Sequence, residues 1–489
     1  MSEVRTRFAP SPTGYLHLGS VRTAFYCWLH ARHTGGKFLV RIEDTDAERS
    51  TEASGKEIIE GLEWLGITSD EPIVYQSQRV HLYKHALDAL WSENKIYPAF
   101  ETREELDAAR AKAETEKRTY VYDGKYATLP RDEAEKRMRS GETFIWRLRV
   151  DATQTTVVHE SLMSDHGTVE FANSEIGDFP LTRSGNHNAP GWPLYNFCNV
   201  IDDNDQRITH VIRGVEHLGN TPRQVLIYNA LGYPVPSFTH LPLIMRNGKK
   251  MSKRDTTDPK HSVSIHERRE LGYVKEAIVN YLALLGWGFS ETEEFATPLD
   301  MAKVFDVTRL TKSNASFDED KFLHFNAWYI RHLPLHDIVE RTKPFLVKAG
   351  LSIDATPPAQ LENIIGLAVE RARLLADFPD LVRYFFETPT TYDADAAAKN
   401  FKPETADMFF NIVDALVSLH DFSAGAIDEA IKKHLEEKGL KAKDVMPALR
   451  LALTGRGSSP GSVFDNMALL GRPTTVARLD AAIQFIKKS

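Results

Sequence analysis

The first 45 residues have the pattern of a strand, a helix and a second strand. Val4–Ala9 is a candidate strand, and Gly19–Ser20 begins a helix whose apolar residues recur at i, i+3 and i+4 spacing. Gly35–Gly36 ends this helix, and Phe38–Ile42 is the second candidate strand. A strand–helix–strand unit of this length predicts parallel strands joined by a right-handed crossover, and therefore an open α/β sheet.

The loop APSPTGYLHLGS (Ala9–Ser20), between the first strand and the helix, is predicted to bind an anion. In open α/β sheets ligands bind beyond the carboxyl ends of the strands, which places this loop and Glu43–Asp46 at one pocket. Gly19 lets a ligand approach the helix N-terminus, where free N–H groups and the helix dipole favour phosphate, and His17 can add a hydrogen bond. The loop matches neither G-x-G-x-x-G nor the Walker A pattern, so it indicates neither a dinucleotide site nor a P-loop.

A second candidate site is the basic loop NGKKMSKRD (Asn247–Asp255). Its glycine and its four cationic side chains form a flexible, positively charged segment that suits a transiently bound polyphosphate. A basic turn alone is usually a solvated surface feature. Together with the anion-binding loop far earlier in the chain, it indicates a nucleotide-dependent reaction.

The composition is that of an ordinary globular protein, with 42% hydrophobic and 26% charged residues. The net charge of -8 argues against a nucleic-acid partner, but residues 430–489 carry 11 Lys and Arg against 5 Asp and Glu. Cys27 and Cys198 cannot make a disulfide scaffold and are predicted to be reduced core residues. The charged N-terminus has no signal-peptide core and the apolar stretch Tyr281–Phe289 is too short to span a bilayer, so we expect a cytoplasmic protein without membrane contact.

Both loops resemble the signatures of class I aminoacyl-tRNA synthetases. HLGS (His17–Ser20) is similar to the HIGH motif, and KMSKR (Lys250–Arg254) is similar to the KMSKS motif. Further segments resemble the bacterial glutamyl-tRNA synthetase family in order over nearly the whole chain: RFAPSPTGYLHLGS, FLVRIEDTD, LYNFCNVIDD, ITHVIRG, HLGNTPRQ, NYLALLGW and the FDxxK of Phe317–Lys321.

The resemblance implies the reaction of a glutamate–tRNA ligase. The α-carboxylate of L-glutamate attacks the α-phosphate of ATP, and the glutamyl group of the adenylate then passes to the 2′-hydroxyl of the terminal adenosine of tRNA(Glu). By resemblance, His17, Gly19 and Ser20 hold the ATP phosphates. Lys253, assisted by Lys250, stabilises negative charge as pyrophosphate leaves. Mg²⁺ is expected to bind mainly through ATP, with no metal ligand from the protein.

By the same resemblance, six residues form the glutamate pocket: Arg7, Ser11, Glu43, Tyr195, Asn199 and Arg213. The two arginines suit the two carboxylates of glutamate, since a guanidinium binds a carboxylate bidentately. The carboxylate of Glu43 suits the ammonium group, and the remaining three residues complete the pocket by hydrogen bonding. Glu216 occupies the position that contacts the adenosine of ATP, although Val215 stands beside it where relatives have an acid.

Two further departures from the family pattern change the expectations. KMSKR is followed by Asp255 and the polar segment TTDPKH where relatives continue with His-Gly, which is expected to alter how the loop closes over ATP. Many bacterial relatives bind zinc through three cysteines of an inserted module. The corresponding segments here, Tyr97–Thr102 and Tyr122–Tyr126, contain no cysteine, so we predict no structural zinc and place His159 and His166 on the surface.

The implied fold class is α/β, with a Rossmann-like parallel-sheet catalytic domain, an inserted α+β module and a mostly α-helical anticodon-binding half at the C-terminus. The predicted boundaries are 1–100 for the first half of the catalytic domain, 101–190 for the inserted acceptor-end-binding module, 191–245 for the second half, 246–325 for a stem-contact region with the KMSKR loop, and 326–489 for the anticodon-binding domains. The enzyme is expected to be a monomer.

The C-terminal half is predicted to be helical and to bind the anticodon arm. The apolar residues between Ile364 and Phe378 have helical spacing and indicate core packing. The basic segments Leu440–Arg456 and Arg472–Lys488 are expected to face the anticodon stem, and Arg371 and Arg373 are candidates for reading an anticodon base. Basic side chains placed locally reconcile the acidic net charge with RNA binding.

Other functions are less consistent with these residues. Glutaminyl-tRNA synthetases have Pro-Glu-Pro-Asn in the first loop and C-terminal β-barrels, whereas this chain has Pro10–Thr13 and a helical C-terminal half. The truncated relative that glutamylates a modified tRNA base lacks the anticodon half. A catalytically inactive tRNA-binding protein has no need of His17, Lys253, Arg7 and Glu43. A non-discriminating enzyme that also charges tRNA(Gln) stays open.

Overall fold

The computed structural model describes residues 3–45, 51–251 and 261–488. The chain divides into two compact units, one of Met1–Arg268 with Ile278–Asp318 and one of Arg269–Ala277 with Glu319–Ser489. Over the described ranges, every helix is too short or too polar to cross a membrane. The predicted glutamate-binding residues all fall in the first unit.

The strands in chain order are β1 (Arg5–Phe8), β2 (Lys37–Ile42), β3 (Val74–Tyr75), β4 (Ile96–Ala99), β5 (Ile145–Leu148), β6 (Thr155–His159), β7 (Thr168–Ala172), β8 (Phe179–Pro180), β9 (His210–Gly214), β10 (Ser237–Leu241), β11 (Ile244–Arg246), β12 (Lys249–Lys250) and β13 (Ala315–Ser316). The central sheet has the order β10-β9-β1-β2-β3, and its neighbouring strands are parallel. The predicted parallel pairing of the first two strands is confirmed. Because the strand order departs in both directions from β1, the carboxyl end of β1 is where a ligand pocket is expected.

The helices of the first unit, in chain order, are α1 (Leu18–Thr34), α2 (Glu52–Leu65), α3 (Val80–Ser92), α4 (Arg103–Thr115), α5 (Arg131–Arg139), α6 (Asn173–Ile176), α7 (Tyr195–Asp205), α8 (Thr221–Leu231), α9 (Ile265–Glu270), α10 (Lys275–Ala283) and α11 (Pro298–Val304), of which α9 and α10 cross the boundary to the second unit. Helix α1 joins β1 to β2 as predicted. His17 is its N-cap, and Gly35 ends it in the left-handed conformation with φ 65°.

The chain between β3 and α7 forms two smaller sheets. Strands β4, β5 and β8 form a three-stranded sheet in which the neighbouring strands are antiparallel, and β6 and β7 form an antiparallel pair. The first of these strands begins at Ile96, before the predicted module boundary at 101, because IYPA pairs along its whole length with β5. The side chains of His159 and His166 are exposed, as predicted.

The predicted basic loop begins as a hairpin. Strands β11 and β12 pair antiparallel, and Asn247 and Gly248 turn the chain with φ of 50° and 75°. Strand β13 pairs parallel with β11 and brings Ser316 beside Met245. The rest of the predicted loop, from residue 252, and the chain that follows it to residue 260 lie outside the described residues.

The second unit is helical over its described residues. Its remaining helices are α12 (Glu319–His332), α13 (Leu335–Lys348), α14 (Pro358–Ala368), α15 (Phe378–Val382), α16 (Ala394–Asn400), α17 (Pro403–Val417), α18 (Ala424–Glu437), α19 (Ala442–Thr454) and α20 (Val463–Lys488), the last interrupted at Gly471. A core of side chains from α17 to α20 is centred on Phe409, Ile431, Leu449 and Leu479.

The apolar residues between Ile364 and Phe378 are largely buried, but they do not lie on one helix. Helix α14 ends at Ala368, and a 3₁₀ turn over Leu375–Asp377 precedes α15. The carboxylate of Asp377 accepts hydrogen bonds from the backbone N–H groups of Arg373 and Leu374, both at 2.8 Å. This side-chain cap starts a new turn and interrupts the helical spacing read from the apolar residues.

His30 of α1 is a buried polar side chain whose replacement is expected to stabilise the protein. Neither ring nitrogen has a hydrogen-bond partner within the described residues, and burial lowers the pKa of His30 to about 4. His30→Leu removes the unsatisfied nitrogens, so we expect an increase of about 1 kcal/mol in the free energy of unfolding at neutral pH. Between pH 6.5 and about 4, His30 is protonated in the unfolded wild type but not in the folded one, which destabilises the wild type. The stability difference in favour of His30→Leu therefore grows by about 2 kcal/mol at pH 5.

Urea unfolding of the wild type and of His30→Leu at pH 7.5 and pH 5 measures both differences. The exposed His85 on α3 is the matched control, and its replacement by leucine is expected to change neither value by more than about 0.5 kcal/mol. A His30→Leu protein that is less stable than the wild type at both pH values contradicts the prediction.

Candidate active site

A cavity of about 710 Å³ lies at the carboxyl ends of β1 and β9, bounded by the loop before α1. It is lined by eleven of the twelve predicted site residues: Arg7, Ser11, His17, Gly19, Ser20, Glu43, Tyr195, Asn199, Arg213, Glu216 and Lys250. Lys253, the twelfth, lies outside the described residues. Residues far apart in sequence therefore meet where the parallel sheet predicts a ligand.

His17 stabilises the N-terminus of α1 as well as lining the cavity. Its Nδ1 accepts the backbone N–H of Ser20 at 3.2 Å, and its Nε2 lies 2.7 Å from the hydroxyl of Ser20. The N–H of Leu18 donates to the carbonyl of Val263 at 2.9 Å. The backbone N–H groups of Leu18 and Ser20 therefore already have hydrogen-bond acceptors within the protein. An anion bound here would depend on the helix dipole and on side chains more than the sequence indicates.

Arg7 lies at the end of β1 and is held by a buried carboxylate. Its Nε donates to both oxygens of Asp203, at 3.1 and 3.2 Å, and the same carboxylate accepts from Arg41 Nη1 at 2.6 Å. All three side chains are at most 3% exposed. Burial opposes ionisation of Asp203, but the charges of Arg7 and Arg41 outweigh it and hold the pKa of Asp203 below its ordinary value.

Glu43 lies just beyond β2 and shares the same network. Its Oε1 accepts from Asn199 Nδ2 at 2.8 Å and from Arg41 Nη2 at 3.2 Å. Burial raises the pKa of Glu43, and the two arginine charges oppose that rise. An ammonium group bound beside this carboxylate stabilises its ionised form, as the predicted role requires.

Arg213 at the end of β9 has a buried guanidinium with no carboxylate partner among the described residues. Its Nη2 donates to Thr221 Oγ1 at 2.7 Å, and its Nε donates to His240 Nε2 at 3.3 Å. Its Nη1 is buried and has no hydrogen-bond partner in the described structure. Burial lowers the pKa of Arg213, so this cation has a strong electrostatic demand for an anionic ligand.

The remaining predicted residues complete the cavity wall. Tyr195 opens α7, and its hydroxyl lies 3.4 Å from His217 Nδ1. Burial, reinforced by the charge of Arg213, lowers the pKa of His217 to about 4, so this ring stays neutral near pH 7. Lys250 Nζ lies 3.6 Å from Glu216 Oε1, and both side chains are about half exposed at the cavity mouth.

Comparisons with known proteins agree with this geometry. Residues 3–324 match the family model for the catalytic domain of class I tRNA synthetases (E and Q), and residues 337–483 match an anticodon-binding domain. Glutamate–tRNA ligase 1 of Caldanaerobacter subterraneus subsp. tengcongensis is 41% identical over 100% of this chain and 99% of that protein. Glutamate–tRNA ligase of Moorella thermoacetica is 40% identical, with 100% of both chains covered.

The chain belongs to the glutamyl-tRNA synthetase family of class I tRNA synthetases. A crystal structure of a glutamate tRNA ligase from Elizabethkingia meningosepticum, in complex with its amino acid, superposes with a TM-score of 0.87 at 34% identity, covering 99% of this chain and 100% of that one. The fold predicted from the motifs, a parallel-sheet catalytic domain followed by a helical anticodon-binding half, is confirmed.

Sequence reasoning missed several residues that shape this family's pocket here. Asp203 lies in LYNFCNVIDD and Arg41 in FLVRIEDTD, but the sequence did not reveal that Arg7 and Arg41 share the carboxylate of Asp203. Both segments are among those that resemble the family. The signal that could have identified these residues is a charged side chain in the same segment as a predicted site residue. Arg22 also lines the cavity, but its guanidinium donates to the carbonyls of Leu285 and Pro242 and so has a structural role.

The cysteine-free segments Tyr97–Thr102 and Tyr122–Tyr126 pack through aromatic rings. The guanidinium of Arg147 lies 3.7 Å from the ring centroid of Tyr122. The hydroxyl of Tyr97 donates to Asp178 at 2.6 Å, and Arg149 lies 4.7 Å from the Tyr97 ring. Cation–π and hydrogen-bond contacts thus hold the segments around Tyr97 and Tyr122 against Arg147, Arg149 and Asp178.

Within the described residues, no cluster of three or more potential metal ligands is present. The cavity wall instead provides cations and hydrogen-bonding groups that suit phosphate oxygens. This donor set fits a Mg²⁺ ion that arrives with ATP and keeps water and phosphate ligands.

Proposed function

We propose that this chain is a glutamate–tRNA ligase that activates L-glutamate with ATP and transfers it to the 2′-hydroxyl of the terminal adenosine of tRNA(Glu). The observation that carries the proposal is a single cavity that is lined both by the buried Arg213, which has no carboxylate partner among the described residues, and by the N-terminus of α1. The named relatives, glutamate–tRNA ligases over their full length, support it. AMP and pyrophosphate are the other products.

The charges of the pocket suit glutamate. Arg7 and Arg41 are balanced by Asp203 and Glu43, whereas Arg213 keeps an uncompensated positive charge. Glutamate carries two carboxylates and one ammonium group, so its net charge is opposite to that of the pocket. Uncharged glutamine leaves the charge of Arg213 uncompensated in a buried site, which disfavours it as substrate.

In the proposed reaction, a carboxylate oxygen of glutamate forms a bond to the α-phosphorus of ATP as the bond to pyrophosphate breaks. Positioning and charge stabilisation dominate such transfers. His17, Gly19 and Ser20 would orient the triphosphate at the start of α1. Lys250 at the cavity mouth and Lys253 would neutralise the departing pyrophosphate, and Glu216 would contact the adenosine. Mg²⁺ bound to ATP would supply further neutralisation of phosphate charge.

Replacing Lys253 with alanine is expected to lower kcat for glutamyl-tRNA formation by roughly 100-fold, corresponding to about 3 kcal/mol for one lost charge stabiliser. The KM for glutamate should change little, since the lysine acts on the phosphates. Steady-state aminoacylation of tRNA(Glu) measures both. Lys303→Ala removes an exposed lysine of α11 outside the predicted loop and is the control. Near-normal aminoacylation by Lys253→Ala contradicts the proposed role.

For tRNA, we propose that residues 101–190 bind the acceptor end, that 246–325 contact the stem and that 326–489 bind the anticodon arm. The C-terminal basic segments supply fewer free arginines than their sequence suggests. Arg450 donates to Ser459 Oγ, Arg456 pairs with Asp380, and Arg478 is buried and donates to backbone carbonyls. The phosphate contacts are therefore assigned to exposed lysines of this half, among them Lys441 and Lys443.

Aminoacylation by the full chain tests the function directly. Purified protein is incubated with ATP, Mg²⁺ and labelled glutamate or glutamine, and with tRNA(Glu) or tRNA(Gln). Glutamylation of tRNA(Glu) is the expected result. Glutamylation of both tRNAs identifies a non-discriminating enzyme, and attachment of glutamine identifies a glutaminyl-tRNA synthetase. Binding of tRNA without any charging contradicts the proposal. Like its substrates, the enzyme is proposed to be cytoplasmic, and it is proposed to act as a monomer.

A further inference from the structure

His240, in β10, lies between the buried guanidinium of Arg213 and a buried carboxylate. Its side chain is fully buried, and Glu160 is 1% exposed. The ring Nδ1 lies 3.4 Å from Glu160 Oε1 without forming a hydrogen bond to it, and Nε2 accepts a hydrogen bond from Arg213 Nε at 3.3 Å. No motif in the sequence had singled out this histidine.

The neighbours of His240 determine which ring nitrogen carries the proton. The Nε of Arg213 is always a hydrogen-bond donor, so Nε2 of His240 must present its lone pair to it. The hydroxyl of Thr221 lies 3.0 Å from the same Nε2. The ring is therefore neutral, with its proton on Nδ1, facing Glu160. Burial, reinforced by the charge of Arg213 and opposed by Glu160, lowers the pKa of His240 and favours this neutral form.

This hydrogen bond restricts the orientation of Arg213. Nε is held by His240 and Nη2 by Thr221, which fixes the plane of the guanidinium. The remaining nitrogen, Nη1, is buried without a partner in the described structure, and Arg213 lines the cavity. Loss of the contact to Nε leaves the guanidinium free to turn about its last torsions, with Thr221 as its remaining strong acceptor.

Glu160 reaches this site from the chain between β3 and α7 and not from the central sheet. The next residue, Ser161, donates its backbone N–H to the carbonyl of Phe238 at 2.9 Å, which adds this segment to the edge of β10. The Oε1 of Glu160 accepts the backbone N–H of His240 at 2.8 Å. The carboxylate is thus anchored on the strand that carries the histidine, and its charge faces Nδ1.

We propose that His240, with the Glu160 carboxylate anchored beside its Nδ1, is a positioning residue that keeps Arg213 directed at a carboxylate of the amino-acid substrate. The proposal rests on the proposed glutamate–tRNA ligase function and deepens it. His240 touches neither substrate nor ATP in this arrangement. Its contribution is to supply an unprotonated nitrogen at one fixed position.

Two amide variants separate this role from simple packing. In His240→Gln the side-chain amide reaches the position of Nε2 and can offer an oxygen to Arg213, whereas in His240→Asn it reaches only the position of Nδ1. We expect His240→Asn to raise the KM for glutamate roughly tenfold, the factor for one lost hydrogen bond to a charged group. We expect His240→Gln to stay within about threefold of the wild type, and both variants to keep the KM for ATP within about twofold.

The pH dependence gives a second readout. Protonation of His240 places a second donor against Arg213 Nε, so the wild-type KM for glutamate should rise as the pH falls through the pKa of His240, which burial places below the ordinary histidine value. The titratable and charged groups around the ring are Glu160, Arg213, Arg7 and His217, and burial lowers the pKa of His217 to about 4. His240→Gln cannot be protonated, so its KM for glutamate should be flatter as the pH falls.

Aminoacylation kinetics of the three proteins, with thermal unfolding as a check on folding, decide the proposal. Absence of glutamylation by the wild type overturns the proposed function itself. If the wild type is active but His240→Asn and His240→Gln have equal KM values for glutamate, the positioning role alone is overturned. The same conclusion follows if the KM for ATP rises as much as the KM for glutamate. If His240→Asn does not fold, a His240→Gln protein that keeps the pH dependence of the wild type still overturns it.

Discussion

Arg213→Gln is expected to lower kcat/KM for glutamate by roughly 1,000-fold, equivalent to about 4 kcal/mol for removing one partner of a buried charge pair. The guanidinium is 5% exposed and has no carboxylate partner among the described residues, so the substrate carboxylate is its expected counter-ion. Glutamine at this position retains polarity but not charge. The loss should fall mainly on the KM for glutamate, because ATP is proposed to contact other residues of the cavity.

Aminoacylation at varied glutamate and at varied ATP measures this prediction. Arg223 of α8 is a matched control, since it is an arginine near Arg213 in sequence that does not line the cavity. Arg223→Gln should keep both KM values within about twofold of the wild type. A comparable loss toward ATP and glutamate in Arg213→Gln is evidence of a collapsed site and contradicts a specific role in binding the amino acid.

Asp203→Asn is expected to be the most destabilising of the proposed changes. The carboxylate is 1% exposed and accepts hydrogen bonds from both Arg7 and Arg41. An amide leaves two buried guanidinium groups without their shared counter-ion, so we expect a loss of about 3 to 5 kcal/mol in the free energy of unfolding. Glutamate use should also fall, because Arg7 loses the partner that orients it.

Denaturant unfolding and aminoacylation of the same preparation separate the two effects. Asp205→Asn is the control on the same helix, since Asp205 is 51% exposed and pairs with Arg79 at the surface. Its expected cost is at most about 1 kcal/mol. Because Arg7 and Arg41 lower the pKa of Asp203, the stability from this network is present above the ordinary aspartate pKa and is lost as the pH falls through the lowered value. Equal stability of Asp203→Asn and the wild type contradicts the prediction.

Local sequence signals predicted the part of the fold that contains the site. The predicted ends of the first strand, the helix and the second strand lie within one or two residues of the observed ends. Apolar periodicity and the helix-ending Gly35 are local signals, so they can be read from a few consecutive residues. The resemblance then supplied residues from three more elements, and eleven of the twelve line one cavity. Lys253 lies outside the described residues, so its role stays a prediction.

Side-chain contacts that are visible only in the folded structure explain most of what the sequence left out. The interruption at Asp377 depends on a side chain that caps two backbone amides, and helical spacing does not reveal it. The arginines near the C-terminus look like free cations in sequence, but Arg456 is paired with Asp380 and Arg478 is buried. A count of charges measures composition, whereas binding depends on which charges remain uncompensated on the surface.

The sequence by itself determined the α/β class and the family, and it located the two signature loops, because these depend on periodicity and on motifs of consecutive residues. Only the tertiary structure decided which charges compensate one another. Asp203 and Glu43 together neutralise Arg7 and Arg41, whereas Arg213 is left with His240 and Thr221 and keeps its charge for a ligand. The physical reason is that electrostatic pairing acts over a few ångströms in space, and folding brings together residues from opposite ends of the catalytic unit.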